Sequence, residues 1–121
     1  MARTHELRGA LEAIDRILNR GGDADEVLRE VLDVLHRLFS YAAIAFVEEE
    51  QLVPGPSAGR LSEPVQTLPI SFRGAKVAEL GVAPPSGDDE ERAFLERVAL
   101  LISAHCLVGW DTGGVPWSEL G

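Results

Sequence analysis

The sequence predicts a single α+β domain, an antiparallel sheet with two amino-terminal helices and one carboxy-terminal helix packed on one face. Three observations carry that prediction. Apolar residues recur at three- and four-residue spacing at both ends of the chain, they alternate in the middle, and the breaks between segments are short and rich in glycine and proline. With 121 residues, 45% of them hydrophobic, the chain can enclose one core, and no stretch reads as a linker between two. Residues 1–121 are therefore read as one domain, with 110–121 as a tail packed on it.

From Thr4 to Asn19, residues Leu7, Ala10, Leu11, Ile14, Ile17 and Leu18 line one face of a helix, which Gly21 and Gly22 end. Asp23 stands three residues before Glu26, the spacing of a capping box, and opens a second helix. Its stripe runs through Val27, Leu28, Val31, Leu32, Leu35, Leu38 and Phe39. Tyr41 to Val47 is apolar on both alternating faces, as in a strand covered on both sides, and Glu48 to Glu50 mark its wet end. Gln51 to Val53 reads as a brief return strand. Pro54 to Gly59 reads as a loop, because fixed and permissive backbone angles alternate there and break regular structure.

Val65 to Arg73 alternates, with Leu68, Ile70 and Phe72 on the core side; Pro69 marks an edge or a bulge. Gly74 and Ala75 turn the chain into a strand from Lys76 to Val82, completing a hairpin that Pro84 and Pro85 stop. Asp88 to Glu91 then place negative charge at the start of a third helix, where it complements the helix dipole. That helix is expected to run to about Val108. It is apolar around much of its circumference and needs two surfaces to pack on.

The run Leu68-Pro69-Ile70-Ser71-Phe72-Arg73-Gly74-Ala75-Lys76-Val77-Ala78-Glu79-Leu80-Gly81-Val82 resembles the central hairpin of the GAF family, a ligand-binding and dimerising module common in signalling proteins. Asp25 to Phe46 is similar to that family's second helix and first strand, and the acidic start and aliphatic body of the last helix continue the match. The resemblance implies a GAF-like sensor or regulatory module that is not an enzyme. It places a ligand site, for a small molecule or a protein, on the sheet face away from the helices, at Tyr41, Ala43, Ala45, Thr67, Ser71, Arg73 and Glu79. There the alanines leave room and the hydroxyls supply directional hydrogen bonds. Arg73 and Glu79 form either a surface ion pair or part of ligand recognition. Ligand-binding members cap the pocket with a long segment where this chain has only Pro54 to Pro64, so the pocket is expected to be open or vestigial. Neither the Asn-Lys-Phe-Asp-Glu pattern of cyclic-nucleotide-binding members nor the several cysteines of the family's methionine sulfoxide reductases is present.

Eleven basic and twenty acidic residues give a net charge of −9, which repels nucleic-acid backbones and anionic membranes; neither is an expected partner. The longest apolar run, Val98 to Trp110, is interrupted by Ser103 and His105 and is too short to span a bilayer, so the expected location is cytoplasmic. Cys106 and three scattered histidines build neither a disulfide nor a zinc site, and no metal or cofactor is implied. Asp111-Thr112-Gly113 matches the triplet of aspartic proteases, but it follows a helix and lacks a partner carboxylate, so it is read as a turn. His105 is expected to be a hydrogen-bonded core or interface residue rather than a ligand, and Cys106 a small buried hydrophobe. Trp110 and Trp117 are expected to pack back on the domain. Finally, the excess apolar surface of the first and last helices points to a homodimer through Leu7, Leu11, Ile14, Leu18, Leu100, Ala104 and Leu107; a dimerisation module without a ligand is the alternative function.

Overall fold

The computed structural model describes residues 4–85 and 87–107, and of Leu107 only the backbone. The tail from Trp110 onward, with its Asp111-Thr112-Gly113 triplet, lies outside the described residues. Three helices, α1 (Thr4–Arg20), α2 (Ala24–His36) and α3 (Asp89–Ile102), accompany four strands: β1 (Tyr41–Glu48), β2 (Gln51–Gly59), β3 (Gln66–Phe72) and β4 (Ala75–Ala83). The strands form one antiparallel sheet in the order β2-β1-β4-β3, so two hairpins lie side by side with β1 and β4 at the centre.

Alternation sorts the side chains into two faces. Ala42, Ile44 and Phe46 of β1, Leu68 and Ile70 of β3, and Ala78, Leu80 and Val82 of β4 are all buried and form the core face. The register sets Leu80 between Ile44 and Leu68, so three large side chains meet across the centre of the sheet. Helix α2 lies along β1 and β2, α3 lies along β3, and α1 packs across both helices. The ends of α1 are tied by Thr4 Oγ1, which donates to the Glu90 carboxylate at 2.8 Å, and by the ion pair of Arg20 with Glu30. These exposed links orient α1 but contribute little stability; the buried Leu7, Ala10, Ile14 and Ile17 hold it.

The structure departs from the sequence reading in five places. Asp23 occupies the N-cap of α2 with extended backbone, but its side chain makes no capping bond; Asp88, at the N-cap of α3, does accept one from Glu90 N–H at 2.9 Å. Strand β1 is not covered on both sides. Its core face is shut, while Tyr41, Ala43 and Ala45 on the other face are half-buried. Pro54 to Gly59 is not a loop, because β2 continues through it. As an edge strand, β2 tolerates proline, and an extra residue is absorbed where its register against β1 shifts between Ala43 and Ala45. Gly55 makes this possible: a Cβ there would stand 2.3 Å from Phe46 Cε2 and 2.7 Å from the Ile44 carbonyl oxygen.

Helix α3 ends at Ile102 rather than near Val108, and the chain tightens into a 3-10 helix over Ser103–Leu107. Both the backbone N–H and the hydroxyl of Ser103 bond to the Leu100 carbonyl, the hydroxyl at 2.9 Å, which replaces the α-helical bond to the fourth residue back with a tighter one to the third. Lastly, Leu7 and Ile14 cannot form an intermolecular face, since both are buried inside one chain where α1 meets α2 and α3. Leu11 and Leu18 are partly buried against the same core, whereas Leu100 and Ala104 remain exposed.

Candidate functional site

The sheet order dictates how the open face is furnished. Strands β2 and β3 are the two edges, so the chain between them must cross the end of β1 and β4. Residues 60–65 make that crossing. The Ser40 hydroxyl pins it, lying 2.8 Å from Glu63 Oε2 and 3.1 Å from the Ala83 carbonyl oxygen. As it passes, the crossing sets Leu61 and Val65 over the open face, and Val65 comes down on Gly81, where a Cβ would be 3.0 Å from its Cγ1.

The result is a groove of about 400 Å³, partly open to solvent. Small residues make its floor: Ala43 lies opposite Gly81, and Ala45 opposite Glu79. Leu52 and Pro54 of β2 wall one side, Val65 and Thr67 the other, and Leu61 overhangs from the crossing. Leu52, Leu61 and Val65 are 48%, 57% and 36% exposed; among the described residues, only one further large apolar side chain, Leu100 at 62%, is as bare. Apolar surface left in water is unremarkable when scattered, but three such residues around one trough form a patch that calls for an occupant.

Polar groups are few. Of the described residues lining the groove, Glu79 is the single acidic or basic one, and the hydroxyls are those of Tyr41, Ser57 and Thr67. Glu79 pairs with Lys76, Nζ to Oε2 at 2.5 Å, and not with Arg73. Residues three apart on a strand normally point to opposite faces. Here Val77 is an extra residue, since Ile70 pairs with Ala78 and Ser71 with Lys76, and this bulge brings Lys76 round to Glu79.

Of the seven ligand-site residues expected from the sequence, Tyr41, Ala43, Ala45, Thr67 and Glu79 line the groove, while Ser71 and Arg73 do not. Ser71 lies beyond the bulge at the outer edge of β3, where it joins Pro69, Arg92, Glu96 and Leu100 around a second groove of about 300 Å³ against α3. Arg73 sits in the tight β3–β4 turn at φ 54°, followed by Gly74 at φ 83°, and its guanidinium stacks 5.1 Å over the Phe72 ring. The sequence reading missed Leu52, Leu61, Val65 and Gly81. Leu61 and Val65 stand out only as apolar residues in a polar connection, and nothing local says that the connection folds over a sheet.

Cys106 is buried, with its thiol pushed up to about 12 by desolvation, and behaves as the expected small hydrophobe. His105 differs from its expectation. It is half-buried, its Nδ1 finds no hydrogen-bond partner among the described residues, and desolvation lowers its pKa. His36, exposed at the carboxyl end of α2, has its Nδ1 3.0 Å from the Phe39 carbonyl oxygen, and its ring packs on Gly59. Among the described residues no group of three or more His, Cys, Asp or Glu could hold a metal ion, and no helix is long and apolar enough to cross a membrane.

Three helices over one face of a four-stranded antiparallel sheet, with a groove on the other face, is a GAF-like α+β fold. The crystal structure of the GAF domain from Acinetobacter phosphoenolpyruvate-protein phosphotransferase superposes on it with a TM-score of 0.68, covering 94% of this chain and 98% of that one at 13% sequence identity. At that identity the likeness is one of fold. No protein-family model matches the sequence, and no curated protein matches it.

Proposed function

We propose that this chain is a non-catalytic, cytoplasmic regulatory module that binds a small molecule in the groove on the open sheet face. The observation that carries the reading is the convergence of Leu52, Leu61 and Val65, all solvent-exposed, on a trough floored by Ala43, Ala45 and Gly81. A volume of about 400 Å³ with an apolar lining and a few hydroxyls suits a ligand of modest size. The GAF-like fold supports a sensing role, and the described residues of the lining include no histidine, cysteine or lysine to serve as nucleophile or base. The test is thermal stabilisation by a metabolite library, read against Ala43→Trp. That change raises a large side chain from the floor into the groove without entering the core. Compounds should stabilise the wild type and not the variant; no stabilising compound, or equal stabilisation of both, would refute the reading.

A second reading is self-association through α3. Leu100 is the most exposed large apolar side chain among the described residues, it lies at the lip of the smaller groove against β3, and Ala104 beyond it is also exposed. A two-fold contact is the commonest way for a chain to cover such a strip.

A further inference from the structure

The groove has two unlike ends, and the difference names the kind of molecule that fits it. Glu79 stands beside Ala45 at one end; Tyr41 lies at the other, four residues along β1, or about 14 Å away at strand spacing. Between them the floor is Ala43, Ala45 and Gly81, which offer no charge and no side-chain hydrogen bond. Beyond the Glu79 end, the same hairpin continues through Val47 and Leu52 to the acidic turn Glu48-Glu49-Glu50. That turn is roughly a Debye length from Glu79 at physiological salt and adds to the negative potential there. The whole chain carries −9. Of the cations nearby, Arg60 lies past the Tyr41 end and outside the lining, Arg73 is stacked on Phe72, and Lys76 is paired with Glu79.

The state of Glu79 is the second half of the argument. Lys76 engages Oε2, and Oε1 accepts no hydrogen bond among the described residues. The Glu79 side chain is 23% exposed and that of Lys76 45%, so the pair is a solvent-washed one that binds its partners weakly. A carboxylate at the end of an apolar trough, with one oxygen unused and a loosely held counter-ion, selects against any ligand bearing its own negative charge. It favours a ligand with an N–H donor and positive charge at one end.

We infer that the groove takes an amphipathic organic cation: an ammonium group on Glu79 Oε1 and an uncharged apolar body lying along Ala43 and Gly81 beneath Leu61 and Val65. This rests on the groove being a ligand site, and it goes further by setting the ligand's charge and direction. Anionic ligands, phosphate esters and carboxylates among them, are disfavoured by the same charge.

Three probes that share one chain and differ in head group isolate the charge: octylammonium, octanol and octanoate. Each is titrated into isotopically labelled protein while the backbone amides of Ala43, Ala45 and Gly81 are followed by NMR. Octylammonium should move these amides saturably and bind about tenfold more tightly than octanol, the worth of one charge-assisted hydrogen bond, with octanoate the weakest. In Glu79→Gln, octylammonium should fall to the level of octanol and octanol should be unchanged; in Lys76→Ala, octylammonium should tighten and octanol should not. If all three probes move the amides equally, or if the preference for octylammonium survives in Glu79→Gln, the charge selection is wrong while the groove remains a binding site. If none moves them at millimolar concentration, both the inference and the small-molecule reading fall.

Discussion

Gly55→Ala tests the path of β2, the element in which sequence and structure disagree most. Gly55 does not adopt a left-handed backbone, so adding a methyl group brings no dihedral strain, and the effect is purely one of space. The new Cβ would stand 2.3 Å from Phe46 Cε2, about 1.2 Å inside the ~3.5 Å of a normal carbon contact. Its second neighbour, the Ile44 carbonyl oxygen at 2.7 Å, is main chain of a central strand and cannot move without breaking the ladder. Phe46 is 2% exposed, so its ring cannot turn aside without disturbing the core. Overpacking of this kind costs about 1 to 3 kcal/mol, and the entropy that alanine removes from the unfolded chain returns roughly 0.4 to 1. The net loss should be about 1 to 2 kcal/mol. Urea melts would show it as a midpoint lowered by about 0.5 to 1 M at unchanged slope. Gly9→Ala is the control: nothing lies within 4 Å of that position in α1, and the change should stabilise by about 0.5 to 1 kcal/mol. If Gly55→Ala behaves like Gly9→Ala, the segment does not lie against Phe46, and Pro54 to Gly59 is a loop after all.

Leu80→Ala removes a fully buried side chain held between Ile44 and Leu68, where a central strand cannot collapse; a loss of about 3 to 5 kcal/mol in the same melts is expected, and one within error would mean that the faces of β4 are reversed. Glu49 and Glu50 form the two-residue β1–β2 turn with φ of 52° and 67°, so Glu50→Gly should stabilise by about 1 kcal/mol through relief of left-handed strain, and destabilisation would contradict that turn. His105 should titrate below its ordinary value of 6.5 when followed by NMR. Above 6.5 the ring is neutral in both states; as pH falls from 6.5 toward the lower folded value, only the unfolded chain gains the proton, so stability declines across that window and then levels off. His105→Phe should lack this component, and a midpoint at or above 6.5 would refute the assignment. If α3 mediates self-association, sedimentation should show a dimer for the wild type and a folded monomer for Leu100→Glu, whereas a wild type that stays monomeric at high micromolar concentration would refute it.

The helices and the β3–β4 hairpin were legible from residue order because their signals are local. Leu7, Ala10, Ile14 and Ile17 fall on one stripe whatever surrounds them, and the alternation of Leu68 and Ile70 about Pro69 announces an edge strand with one buried face. The charge balance was legible for the same reason, whereas the open sheet face followed only from the family resemblance, since the local pattern of β1 reads as covered on both sides. Where those faces meet is a different kind of fact. Pro54-Gly55-Pro56 carries every local mark of a loop, yet it pairs as a strand because Gly55 alone lets the chain close over Phe46, nine residues earlier and already committed to the core. The bulge at Val77 turns Lys76 toward Glu79, Ser71 lies at the outer edge of β3 and Arg73 in the turn, and a one-residue slip of this sort leaves no trace in alternation over so short a strand. Leu61 and Val65 became walls of the groove only because the sheet order sends their connection across the end of β1 and β4. Periodicity records which side of an element avoids water. Which elements share that side depends on contacts between residues far apart in the chain, and these exist only once the whole domain has closed.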